Sequence, residues 1–241
     1  MTDPYSYPGT DILINLEGIK DPSMLARYEA RACANRMLQL QSERQVTRLS
    51  LDGLCDIHRA IFQDVYPWAG QVRTVDISKH EMFCPSRNIE PFANDVFRNL
   101  RRAIERHDPT DREALCDSLA DAYGDLNALH PFREGNGRAQ RELLRQVCES
   151  LGYVLDLRPV SGEDMRQASI AAFYAQTQPL AQIFYDTIIP TDEYVKETKG
   201  ASYAHPFVTL TEDDVPREMI DDGTIGQEPT DYVPKGATLE I

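Results

Sequence analysis

The 241-residue sequence lacks any run of apolar residues approaching the roughly 20 that a membrane-spanning helix requires. It also lacks a basic stretch ahead of an apolar one at its N-terminus, so no Sec-type signal is expected and a cytoplasmic reading is favoured. Positive charge is short as well: 25 Lys and Arg stand against 39 Asp and Glu, a formal net charge of -14. Non-specific attachment to nucleic acid or anionic lipid needs clustered cations that release counterions, so neither nucleic acid nor membrane is an expected partner. Proteins and small ligands remain. Cysteine is sparse and odd in number, five residues without a CxxC pair, which argues against a disulfide framework, a zinc site or redox exchange. No internal repeat is present. What remains is a chain of ordinary apolar content, 41%, long enough to bury the core of one main domain.

Helical punctuation dominates the first 190 residues. Asp21-Pro22 supplies a cap followed by proline at the first helical position, predicting a helix from about Pro22 to Ser42. Ser50 is placed to cap a second helix, in which Leu51, Leu54, Ile57, Ile61 and Phe62 recur at helical spacing up to a break near Tyr66-Pro67. Ile89, Phe92, Val96, Leu100 and Ala103 mark a third. Thr110 and Glu113 have the spacing of a capping box, ahead of an apolar stripe through Leu115, Leu119, Tyr123, Leu126 and Leu129. A fifth helix is predicted from about Arg138 to a stop at Gly152, and one or two more between Ser161 and Thr187. The exception is Gly70 to Phe83, where Val72, Thr74, Val75 and Ile77 favour extended chain. A short β-hairpin is the reading adopted there, with a surface loop as its alternative. After Pro190 the composition shifts: residues 191–241 hold twelve acidic against four basic residues, and Phe207–Leu210 could form one strand. The expected organisation is a mainly α domain over 1–190, then an acidic linker or small extended module over 191–241.

Chemistry concentrates between the fourth and fifth helices, in His130-Pro131-Phe132-Arg133-Glu134-Gly135-Asn136-Gly137-Arg138-Ala139-Gln140-Arg141. A histidine at the end of one helix stands beside a glycine-rich turn that opens the next. Backbone N–H groups of Gly135, Asn136 and Gly137 can converge on phosphate oxygens, aided by the positive end of the helix dipole. Arg138 and Arg141 lie three apart on one helical face and bring forked, fixed charge. Glu134 offers an oxygen ligand for Mg²⁺. Taken singly, such a histidine is more often structural, such glycines a tight turn and such arginines solvated. Their conjunction carries the signal.

The loop meets all eight specified positions of HxFx[DE]GNGRxxR, and on those residues the chain resembles the Fic family. The likeness extends over roughly residues 4 to 190, through Tyr7-Pro8-Gly9-Thr10, Ile57-His58 and Asp64-Val65-Tyr66-Pro67-Trp68-Ala69-Gly70. It implies a Fic-fold helical bundle with a β-hairpin flap at Arg73–Lys79 that docks a target protein by strand addition. By the same resemblance His130 is the general base, Phe132 a core anchor and Glu134 the Mg²⁺ ligand. Gly135, Asn136 and Gly137 form an anion hole, Arg138 and Arg141 hold the β- and γ-phosphates, and Lys79 reaches the nucleotide. ATP is the implied co-substrate and AMP transfer to a Ser, Thr or Tyr hydroxyl the implied reaction, because the Doc kinases of the family carry Lys where this chain has Gly137. Another nucleotide or phosphate donor, or a nucleotide-binding scaffold without turnover, are the alternatives. The family's inhibitory motif, [ST]xxxE[GN], does not occur in these 241 residues. Restraint by a separate antitoxin bearing that helix is therefore expected, or action after delivery into another cell's cytosol.

Overall fold

Ser50 Oγ accepts from the Gly53 amide, 3.1 Å, and so opens one of the eight α-helices among the described residues of the computed structural model. The structure describes residues 3–42, 48–79 and 82–198. The Phe207–Leu210 strand expectation and most of the acidic tail lie outside them. In chain order the helices are α1 (Pro22–Ser42), α2 (Leu51–Phe62), α3 (Ile89–Glu105), α4 (Arg112–Leu129), α5 (Asn136–Ser150), α6 (Gly162–Phe173), α7 (Gln178–Thr187) and α8 (Thr191–Thr198). Among the described residues no helix is long and apolar enough to cross a membrane. The fold is mainly α, as the periodicity implies.

α4 runs through the middle of the bundle, packed against α3, α5, α6 and α7, with Leu119, Leu126 and Leu129 fully buried. α5 lies against both α4 and α2. It is tied to α1 through a buried polar cluster: Arg145 pairs with Glu142 at 2.9 Å, and Gln41 of α1 donates to the same carboxylate at 3.2 Å. The start of α5 is thus fixed by its neighbours on both sides, and that start carries the motif loop.

Local details differ from the sequence reading in three places. Thr110 does not cap α4; Asp111 does, accepting from the Ala114 amide at 3.0 Å, while the Thr110 hydroxyl donates to Asp108 at 2.7 Å. α5 begins at Asn136, two residues before the expected Arg138, with Gly135 as its cap in the left-handed region, φ +81°. Among the described residues the one regular sheet lies where no strand was expected: β1 (Tyr153–Leu155) pairs antiparallel with β2 (Ile188–Pro190), Val154 opposite Ile189. Among the described residues of the flap segment, Ser78 and Met82 form an isolated antiparallel bridge. Beyond Pro190, α8 packs on the sheet: Tyr194 is buried, its hydroxyl accepts from Arg158 at 2.8 Å, and the Thr191 amide donates to Gly152 O at 3.0 Å.

Candidate active site

The apolar stripe of α4 ends at Leu129, and the next residue, His130, turns the chain with φ 43° and ψ 61°. A left-handed backbone at a residue with a Cβ costs on the order of 1–3 kcal/mol and persists only where surroundings enforce it. Three hydrogen bonds do so: the His130 amide to Leu126 O at 3.1 Å, Arg73 Nε to His130 O at 2.9 Å, and the Arg73 amide to Pro131 O at 2.9 Å. The imidazole is set by a fourth, since Nδ1 lies 3.1 Å from Asn127 O. A carbonyl only accepts, so Nδ1 carries the hydrogen and Nε2 keeps its lone pair. The ring stacks on Phe83 with centroids 3.7 Å apart. Burial pushes its pKa down to about 3, opposed by the Asn127 bond and reinforced by the charges of Lys79 and Arg73. At neutral pH the imidazole is uncharged, so Nε2 has a free lone pair that can accept a proton.

Past His130 the loop is pinned by its own residues. Phe132 is fully buried, and Asn136 grips its backbone from both sides, Oδ1 accepting from the Phe132 amide at 2.9 Å and Nδ2 donating to Phe132 O at 2.8 Å. Gly135 is required twice over: its φ is positive, and a Cβ would stand 2.2 Å from Phe62 Cζ. His58, fully buried on α2, accepts at Nδ1 from the Gly70 amide, 2.8 Å, and hence donates from Nε2 to Glu134 O, 2.9 Å. It stacks on Phe62 and Phe132, and burial lowers its pKa to about 4. In the sequence His58 enters only through the Ile57-His58 likeness and has no assigned role.

His130, Glu134, Asn136, Gly137, Arg141 and Lys79 line one cavity of about 360 Å³, into which Arg166 and Ser169 also reach from α6. A larger open hollow of about 750 Å³ beside α6 and α7 contains none of the motif residues. Arg138 is not on the cavity wall: it pairs with Glu29 of α1 and lies over the Phe62 ring, its side chain only 11% exposed. Gly135 also stands off the wall, and its amide donates to Glu134 Oε1 at 2.9 Å. Among the described residues no three His, Cys, Asp or Glu side chains gather as a metal cage. One cavity carboxylate, Glu134, suits a cation that takes its other ligands from substrate phosphates and water, which is how Mg²⁺ is usually held.

An uncharged histidine, a helix N-terminus and an arginine, Arg141, facing one cavity on a helical bundle suit an enzyme that moves a phosphate-linked group. The chain belongs to the Fic/DOC family, whose model matches residues 48–148. It is 37% identical over 183 residues to the protein adenylyltransferase VbhT of Bartonella schoenbuchensis, covering 75% of this chain but 38% of VbhT. Against the "Probable protein adenylyltransferase Fic" of Salmonella typhimurium it is 33% identical over 187 residues, covering 77% of this chain and 92% of the relative. The crystal structure of the VirB-translocated effector BepC of Bartonella tribocorum, with AMPPNP bound, has a TM-score of 0.71 at 24% identity, over 77% of this chain and 96% of BepC. That last likeness is one of fold.

Proposed function

We infer that the chain is a protein adenylyltransferase, which moves AMP from ATP to a Ser, Thr or Tyr hydroxyl of a target protein and releases pyrophosphate. The observation that carries this reading is the orientation of His130: Nδ1 is committed to Asn127 O, and Nε2 is the lone pair left for the cavity wall shared with Gly137 and Arg141. In the proposed reaction His130 Nε2 takes the hydroxyl proton, the oxygen bonds to the α-phosphorus, and the bond from that phosphorus to the bridging oxygen breaks. Amides at the start of α5 stabilise the charge gathering on the α-phosphate, a contribution of about 3 kcal/mol for one donor. Arg141 holds the terminal phosphates. Arg138, engaged by Glu29, contributes to that group by holding the first turn of α5 in place unless nucleotide draws it away. Mg²⁺, carried by Glu134, would neutralise polyphosphate charge. Gly137 supports the AMP-transferring pose, since the Doc kinases of the family carry Lys there, and it leaves Arg141 Nη1 close by: a Cβ would stand 3.1 Å from it. The flap is the docking edge for the target, and a separate protein carrying the missing inhibitory helix is the proposed restraint.

Label from α-³²P-ATP, compared with γ-³²P-ATP, is to be followed onto lysate protein. Incorporation of the α label alone is expected. Incorporation of the γ label alone would make the protein a kinase, and binding without incorporation a scaffold.

A further inference from the structure

Arg73 sits in the extended segment that leads into the flap, where an arginine would ordinarily reach solvent, yet it is 2% exposed. A buried guanidinium is costly unless every donor is matched, and its usual match is a carboxylate. Among the described residues none lies within ion-pair distance. Its partners are three backbone carbonyls: His130 O from Nε at 2.9 Å, Val75 O from Nη1 at 2.7 Å, and Cys84 O from Nη2 at 2.5 Å. Val75 and Cys84 are the two roots of the flap. The third carbonyl belongs to the base.

We propose that Arg73 is a positioning residue which fixes the backbone of His130 from the roots of the flap, so that the edge that docks the target also sets the aim of the base. This rests on the adenylyltransferase reading and names a device within it. Holding the carbonyl of His130 fixes ψ of a residue already in the left-handed region, and the Asn127 bond then fixes the ring. With both held, the direction of Nε2 is determined. The Arg73 amide on Pro131 O and the Cys84 amide on Ala128 O, both 2.9 Å, tie the same two segments together by backbone alone. Phe83 adds a side-chain contact by stacking on the His130 ring, and the guanidinium adds the side-chain hydrogen bonds that reach the His130 backbone and both flap roots at once. Its planar fork serves three acceptors in fixed directions, which a single ammonium group cannot do.

Arg73→Lys keeps the charge and loses the fork. Three readouts compare it with wild type: AMP incorporation from α-³²P-ATP into lysate protein at saturating ATP, ATP affinity by calorimetry, and the ¹⁵N shifts of the His130 ring without any target. The expected result is a fall of about 100-fold in the transfer rate, the scale of a misaligned reacting group. ATP affinity should stay within about threefold, since no binding group is lost. The His130 ring should move from one Nδ1–H tautomer to an average of two. A transfer rate within about threefold of wild type overturns the proposal. So does an equal loss of rate and ATP affinity, which would mean general unfolding of the site, and so does an unchanged tautomer. If wild type itself transfers nothing, the functional reading fails, while the ring shifts still decide whether Arg73 sets His130.

Discussion

Which nitrogen of His130 is available follows from its neighbours rather than from histidine as such. With Nδ1–H on Asn127 O, the base loses its only proton acceptor in His130→Ala, while the amides of α5 and Arg141 stay in place. Transfer should fall by about 10²–10⁴-fold or more. Calorimetry should find ATP binding little changed, because the base addresses the target hydroxyl and not the phosphates. Acid brings out the other buried ring. His58 has its pKa lowered to about 4 by burial against an unfolded value near 6.5, so the unfolded chain takes up a proton over a range where the folded one does not. The stabilisation from keeping His58 neutral is whole above pH 6.5 and is lost as pH falls through about 4. By pH 5 the loss for this residue amounts to about 2 kcal/mol. Urea unfolding at pH 7 and pH 5 should show that decline in wild type and a smaller one in His58→Gln. Most of the cavity wall was legible in the sequence, because the motif fixes residue type and spacing together. His58 and Arg73 were not, since their value lies in contacts to residues 76 and 57 positions away. The resemblance assigns Arg138 to the phosphates; its pairing with Glu29 of α1, 109 residues away, is a further contact that no local spacing shows.

Helices show how far local signals reach. Cap signals located α1 and apolar periodicity α2 through α4, and the turn that ends α5 was marked by Gly152, φ +85°. The cap of α4 was misplaced by one residue because Thr110 and Asp111 both have the chemistry to cap, and the Thr110 hydroxyl is engaged by Asp108 instead. Asp111→Ala should therefore cost about 1 kcal/mol in thermal or urea unfolding, and Thr110→Ala close to nothing. The reverse ranking would restore the capping box. β1 and β2 escaped notice for a different reason: three residues each are too few to show alternation, and their pairing joins segments more than 30 residues apart. α5 starts early because Asn136 turns its side chain back onto Phe132, which fixes the first turn before any arginine is reached.

Across the molecule the negative charge is uneven, with eight of the fourteen net charges in residues 191–241. Composition alone suggested a break at Pro190, yet Tyr194 of α8 is buried and bonded to Arg158. With no inhibitory motif in the sequence, purified protein supplied with Mg²⁺ and ATP should gain the mass of AMP on itself or pass it to lysate protein. Intact-mass spectrometry reads both, and a second protein bearing the [ST]xxxE[GN] helix should suppress both. If activity appears only when residues 191–241 are removed, restraint is internal and the separate inhibitor is ruled out. Cysteine placement gives a practical means of following the flap. Cys33, Cys55, Cys116 and Cys148 are buried; Cys84, at the flap exit where its carbonyl meets Arg73, is the half-buried one. A maleimide dye offered briefly to the native protein would therefore favour that sulfur, and its fluorescence would report from beside the docking edge without any engineered residue.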